Sequence, residues 1–475
     1  MRRRLALLSL LVAACRSSTP TAGGAGDALA REHAGAYPET RAPNGRVREY
    51  TLDAKETELP LLDGTTLRVW AYNGQVPGPT LRVRLGETLR VRFTNHLPQP
   101  TTIHWHGVRV PLAMDGVPYV SQPPVEPGQS FTYELTPKDA GTFWFHPHLR
   151  SSEQVERGLY GVLIVEDEAP PPYTAEAVWV LDDWLLDENR RIHPQFNTRH
   201  DLAHDGRWGN VITVNGRTDT RLTLATGDRV RLRLLNASNG RVYAPDFGDL
   251  APVVIAVDGL YLRAPIPLDR FELAPGNRVD LDLVVRAGES RVVPVVDRFY
   301  AQRPNRLAEI VLDGIRPAPA PTFASPARAH VPVWRGGLDA PVAKEIRLNA
   351  RQGGEYGIQW TLNDEAFAGH QAHAHHQRPI ATLTRGAFAR LRFTNESYRL
   401  HPMHLHGMFF KVLGRNGAPV DEGFFRDTVL VHPRETVDIG LVPLDLGSWM
   451  MHCHILEHQE SGMMTMVDVV ERAPR

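Results

Sequence analysis

The chain carries 21 histidines, and their spacing is the feature that could do chemistry. At this frequency His-x-His should arise about once by chance. Five such pairs occur, among them His104/His106, His146/His148, His404/His406 and His452/His454. In a strand, residues i and i+2 point to the same face, so each pair aims two imidazoles one way. Eight imidazoles converging on one interface would repel if protonated and would cost heavily if buried without partners. Binding a metal removes both problems, and imidazole suits copper, zinc, iron and nickel. The last segment narrows the metal. Cys453, His458 and Met463 follow one another at intervals of five, and His401 stands apart. Two histidines, one cysteine and a weak methionine describe a blue-copper electron-transfer site. Cys453 lies between His452 and His454, so the backbone itself would join that site to the imidazole cluster.

The elements that must position these residues are repeated three times. Gly86 precedes Asn95 by nine positions, Gly227 precedes Asn236 by nine, and Gly386 precedes Asn395 by nine. Each stretch alternates apolar and polar residues, as a half-buried strand does. A turn and a second alternating run follow, after Pro127-Gly128, Pro275-Gly276 and Pro433-Arg434. His104 and His106 lie nine and eleven residues after Asn95, and His404 and His406 lie nine and eleven after Asn395. The same offsets from Asn236 fall on Pro245 and Phe247. The outer repeats therefore carry matched ligands on equivalent strands, and the middle one reads as a spacer. Proline-rich linkers at 169–172 and 316–321 separate the repeats. The expectation is an all-β protein of three consecutive Greek-key β-sandwich domains, at 45–168, 173–315 and 330–475, after an export signal and flexible N-terminal segment at 1–44.

Composition excludes other classes. The chain has 475 residues, 53 basic against 54 acidic, and a net charge of -1, so neither a nucleic-acid binder nor an acidic disordered chain is expected. Two cysteines, Cys15 and Cys453, exclude a disulfide framework. Arg2 to Arg4 followed by the apolar run Leu5 to Ala14 reads as an export signal, too short to span a membrane. Leu11-Val12-Ala13-Ala14-Cys15 resembles a lipobox, which would tether the exported protein through Cys15; the alternative is a soluble exported protein cleaved nearby. His33, His96, His193, His200, His204, His330 and His432 have no partner in another repeat and read as structural or solvent-facing.

The chain resembles the multicopper oxidases, in particular the bacterial three-domain laccase and copper-efflux oxidase group. His104-Trp105-His106-Gly107, His146-Pro147-His148, His401 to Gly407 and His452 to Met463 carry the resemblance, which extends from about residue 45 to the end. It implies cupredoxin-like domains and four copper ions. By position, the type 1 copper would take His401, Cys453, His458 and axial Met463. The type 2 copper would take His104 and His404. One type 3 copper would take His106, His146 and His454, and its partner His148, His406 and His452. The implied reaction is one-electron oxidation of a small-molecule donor, a phenol or Cu(I), coupled to reduction of O2 to water, in a monomeric periplasmic enzyme.

Asp115 matches the acidic residue that relatives place near the type 2 copper. Many relatives have Glu directly after the type 1 histidine, where it helps deliver protons. Here that position is Gln459, with Glu460 or Glu457 as substitutes. The interval Asn363 to Asn395 is 32 residues against 22 and 21 in the other repeats, and the extra length holds His370, His373, His375 and His376. By alignment with relatives this loop would sit beside the type 1 site, either as a copper-capturing segment or as a polar, solvated loop of an exported protein. Arg426-Asp427-Thr428-Val429 matches a family motif, but a structural turn explains it. The alternative function is a periplasmic copper-resistance protein with incidental oxidase activity. A ligand-free scaffold of the same fold disagrees with the intact ligand set, and a two-domain nitrite reductase disagrees with the three repeats.

Overall fold

The structure, a computed structural model, describes residues 25–33, 42–62, 64–269, 271–286, 290–317, 320–328, 330–367 and 378–472. The export segment with Cys15 and the insert bearing His370, His373, His375 and His376 lie outside these residues. The described chain forms three β-sandwiches in sequence order, with a few short helices between strands.

The repeat seen in the sequence is a repeat of topology. In each sandwich the strand ending in the shared asparagine runs parallel to the strand that opens the unit. These pairs are Thr88–Asn95 beside Val47–Leu61, Arg229–Asn236 beside Ala175–Trp184, and Ala389–Asn395 beside Val342–Gln352. Its antiparallel neighbour is the strand after the proline turn: Ser130–Leu135, Arg278–Val284 and Thr436–Leu441.

The asparagine itself clasps the loop that follows. Its side-chain oxygen accepts from the backbone N–H two residues on, at Leu97, Ser238 and Ser397. Its amide donates to carbonyls of the loop and of the distant turn: Gln99 and Val125, Arg241 and Leu273, Arg399 and His432. Buried polar groups must be paired, and an amide with two donors and an acceptor can pin two chain segments at once. In the outer sandwiches the pinned loop leads directly into the histidine strands.

The middle unit departs from the half-buried pattern. Leu89, Val91 and Phe93 alternate with outward residues, but Arg229–Asn236 is buried almost throughout. The face expected to meet solvent instead meets the first sandwich. Arg231 and Arg233 share the Asp280 carboxylate, which also accepts the Thr142 hydroxyl from the first unit. Burial of these cations is tolerated because each is paired and hydrogen-bonded.

Candidate metal centre

Strand pairing places the histidines in two equivalent arrays. His104–His106 lies antiparallel to Gly141–His146 with His104 opposite His146. His401–Leu405 lies antiparallel to Gly447–Cys453 with His404 opposite His452. The two arrays meet face to face between the first and third sandwiches. The His104 ring stacks on His406 with centroids 3.9 Å apart, and His106 stacks on His404 at 3.8 Å. All eight of these histidines are buried. The ligand atoms of His104, His106 and His146, of His104, His404 and His406, and of His148, His406 and His452 lie within 4.8 Å of one another in each set.

Hydrogen bonds fix which nitrogen carries the proton in six of the eight rings. A carbonyl can only accept, so Nδ1 is protonated where it meets the carbonyl of Asp115 (His104, 2.7 Å), Pro147 (His146, 2.9 Å), Asp427 (His404, 2.9 Å) and Cys453 (His452, 2.9 Å). His406 donates Nδ1–H to Asp115 Oδ2 at 2.8 Å, and His106 donates Nε2–H to Asp427 Oδ1 at 3.2 Å. The opposite nitrogens therefore present lone pairs to the centre. Nε2 of His104, His146 and His404, Nδ1 of His106 and both nitrogens of His454 have no hydrogen-bond partner. Leaving each buried and unsatisfied costs about 1–3 kcal/mol. His406 Nε2 lies 3.1 Å from His452 Nε2, and both are lone pairs. Protonation is no remedy. Burial, followed by the neighbouring imidazoles, pushes His146, His406 and His454 well below the usual histidine range. Metal cations between the rings would satisfy these lone pairs together.

The thiol-containing set lies on the far side of the same strand. Cys453 Sγ is 3.6 Å from His401 Nδ1 and 3.8 Å from His458 Nδ1, and the two nitrogens are 3.3 Å apart. His458 donates Nε2–H to the His204 carbonyl at 2.8 Å. His401 donates Nε2–H to Ser397 Oγ at 2.9 Å, because that hydroxyl gives its own proton to Asn395 Oδ1. Both Nδ1 lone pairs thus face the sulfur. Met463 is buried beside them, its N–H on the His458 carbonyl and its carbonyl on the Cys453 N–H. Burial pushes the Cys453 thiol up, so a bound metal is what would hold it as thiolate. Burial pushes His458 down to about 3. Soft thiolate with imidazole and thioether selects copper. The donor sets fit four copper ions, one at the thiol and three among the eight imidazoles.

Two aspartates support the imidazole cluster in the same way. Asp115 accepts His104 on its carbonyl and His406 on its carboxylate; Asp427 accepts His404 on its carbonyl and His106 on its carboxylate. Asp115 was legible in the sequence. Asp427 was not: the turn reading of Arg426 to Val429 is corrected, because the segment enters the strand Thr428–Val431 and aims its aspartate at two histidines. The middle unit supplies no member of the donor sets found among the described residues, but it does more than separate its neighbours. Arg278, fully buried in that unit, forms a two-point pair with Asp427 at 2.6 and 3.0 Å and donates to the carbonyls of Thr142, Gly276 and Asp258. The guanidinium passes over Gly107, where a Cβ would lie 2.2 Å from its terminal nitrogen. Gly107, at φ +79°, is the glycine that ends the first His-x-His motif.

Glu460 is half-buried, and its carboxylate accepts from Ser152 N at 2.9 Å, Ser152 Oγ at 3.2 Å and Asn197 Nδ2 at 2.7 Å. It therefore ties the three units together and lies outside the donor sets found among the described residues. Glu457 accepts from Asn239 and from the Arg207 N–H, and burial raises it to about 7. Gln459 is buried with neither amide atom hydrogen-bonded.

Comparison with known proteins gives consistent matches. Three family models, each described as multicopper oxidase, match residues 53–170, 175–290 and 339–473. The multicopper oxidase MmcO of Mycobacterium tuberculosis is 29% identical over 97% of this chain and 94% of its own length. The crystal structure of a multi-copper oxidase from Pseudomonas thermotolerans is 36% identical, with a TM-score of 0.79 over 89% of this chain and 99% of that one. A multicopper oxidase from Campylobacter jejuni, described as a metallo-oxidase, is 26% identical, with a TM-score of 0.74 over 91% of this chain and 93% of that one.

Proposed function

The chain belongs to the multicopper oxidase family, and on that premise we propose how its own residues divide the work. It is an oxygen-reducing enzyme. Bound copper supplies one-electron oxidation of a donor at the thiol-containing site and four-electron reduction of O2 to water at the imidazole cluster. We assign His401, Cys453, His458 and Met463 to the type 1 copper, and His104 and His404 to the type 2 copper. His106, His146 and His454 go to one type 3 copper, and His148, His406 and His452 to the other. Residues 45–168, 173–315 and 330–475 are read as the three domains, in line with the matched ranges.

One observation carries this reading. Cys453 turns its sulfur toward His401 and His458, while its neighbour His452 turns Nε2 toward His406 on the opposite side. Two covalently adjacent residues thus link the electron-accepting site to the oxygen site. Hydrogen bonds to the opposite ring nitrogens fix the orientation of His104, His106, His146, His401, His404, His406, His452 and His458.

Proton delivery falls to Asp115. Its Oδ2 holds the His406 Nδ1–H, while Oδ1, 3.3 Å from His104 Nδ1, has no hydrogen-bond partner and is the atom free to carry a proton. Gln459 has no proton to give at neutral pH. Glu460, given above as a second catalytic candidate, is occupied by Ser152 and Asn197, which supports a clamping role instead.

The donor is a small-molecule reductant. The export signal supports a periplasmic location with Cys15 as a site of lipid attachment, and no helix among the described residues is long and apolar enough to cross a membrane. The reading is tested by Cys453→Ser. The variant should lose the blue absorption and all turnover while keeping the copper held by the eight imidazoles. A variant that stays blue or still reduces oxygen refutes the assignment.

A further inference from the structure

The loop after the short helix Arg199–Ala203 of the middle unit reaches both histidines of the thiol-containing set. The His204 carbonyl accepts the Nε2–H of His458 at 2.8 Å. The next residue, Asp205, accepts the Leu400 N–H on its carboxylate Oδ1 at 2.8 Å, one residue before His401. Two consecutive residues of the middle unit therefore hold the two imidazoles that the third unit supplies.

Close packing fixes this loop. The Asp205 carbonyl accepts the Trp208 indole N–H at 2.8 Å, and a Cβ at Gly240 would lie 2.2 Å from that carbonyl oxygen. A Cβ at Gly206, where φ is +84°, would lie 2.6 Å from Ile455 Cγ2. The Ile455 N–H in turn points to Cys453 Sγ at 3.4 Å. Asp205 is half-buried, so its charge is screened less than that of an exposed carboxylate. Its field reaches the sulfur: burial raises the Cys453 thiol most, and the negative charges of Asp205 and then Glu457 raise it further. Arg399 carries the opposite charge on the same side. Burial raises the Asp205 carboxyl, while the Leu400 N–H and the Arg399 charge lower it. Burial lowers His458, and the Arg399 charge lowers it further.

Oxidised copper carries one more positive charge than reduced copper. A fixed negative charge beside it favours the oxidised form and lowers the potential, and a fixed positive charge does the reverse. We propose that Asp205 is a positioning residue that sets the potential of the type 1 copper: through Leu400 it places His401, and its charge holds the potential low, with Arg399 opposing it. The inference rests on the assignment of the thiol-containing set to a type 1 copper and says which donors that copper accepts. A copper held at low potential takes electrons from strong reductants and passes each to the imidazole cluster with more driving force.

The test is a redox titration of the blue absorption of the copper-loaded enzyme against a soluble mediator couple of known potential, at about pH 8, where carboxylates are ionised. Asp205→Asn keeps an oxygen for the Leu400 N–H and removes the charge. It should shift the equilibrium toward reduced copper by about tenfold, which for a one-electron couple is about 59 mV upward. Asp205→Glu keeps the charge and should stay closer to the wild type than Asp205→Asn does. Arg399→Gln should shift the equilibrium the other way. Opposite signs are what charge requires and what a general loosening of the site would not give. If Asp205→Asn fails to fold, Arg399→Gln decides alone: a lowered potential supports the proposal and an unchanged one overturns it. Unchanged potentials in both variants, or shifts of the same sign, would also overturn it. A wild-type enzyme that takes up copper without blue absorption would overturn the type 1 assignment, and the proposal with it.

Discussion

Arg278→Met separates a supporting role of the middle domain from a spacer role. The substitution keeps an unbranched side chain but removes the guanidinium. Asp427 Oδ2 loses its 2.6 Å partner, and Oδ1 keeps His106, Thr428 and, at 3.5 Å, His404. The carbonyls of Thr142, Gly276 and Asp258 lose a donor each. Asp258, also fully buried, loses the cation facing its own carboxylate. Removing one partner of a buried pair costs about 3–5 kcal/mol, because the remaining charge is left uncompensated. A relaxed Asp427 would also release His106 and His404, and losing an outer hydrogen-bond partner typically lowers metal affinity about 10–100-fold. Urea unfolding of the copper-free protein should show a midpoint shift of that size at an unchanged slope. Metal analysis of the reloaded variant should show loss of copper from the imidazole cluster while the blue absorption persists. A midpoint equivalent to within about 0.5 kcal/mol of wild type, with full copper, would refute the reasoning.

Three further outcomes follow from the same geometry. Gly276→Ala would place a Cβ 2.9 Å from His454 and 3.0 Å from His106 at a φ of +86°, so it should deplete the imidazole cluster of copper and leave the blue site, as separate spectroscopic quantitation of the two would show. Asp115→Asn should lower oxygen turnover by about 10²-fold or more with the blue absorption unchanged, since its carboxylate touches the imidazole cluster alone; unchanged oxygen consumption would contradict that role. Copper-free protein should lose stability as pH falls. His458 is lowered from 6.5 to about 3, so the unfolded chain takes up its proton first, and the stability present above about pH 6.5 drains away down to about pH 3. Unfolding midpoints measured across that window check the sign.

The site was legible where local geometry alone decides it. His104/His106 and His404/His406 share a face because strand periodicity puts i and i+2 together, and the fixed offset from Asn95 and Asn395 marks the equivalent strands. The physical cause of that offset is the asparagine clasp, which sets the length of the loop before the histidines. The carboxylate support was only half legible. Asp115 lies nine residues after His106, whereas Asp427 lies twenty-one after His406, so the repeat conceals their equivalence. Arg278 was invisible because it acts on Asp427 from 149 residues away, across two domains. The alternating pattern of Arg229–Asn236 predicted a solvent face, but a pattern within one strand cannot tell water from the Thr142 side of another domain. His-Trp-His-Gly did hold a clue: the glycine is where the guanidinium crosses.

The most direct measurement of the central claim is the electron stoichiometry of oxygen reduction by the fully copper-loaded enzyme, taken with its copper content. The account predicts four coppers per chain, four electrons consumed per O2, and no hydrogen peroxide released. One copper per chain, or two electrons per O2 with peroxide as product, would contradict it.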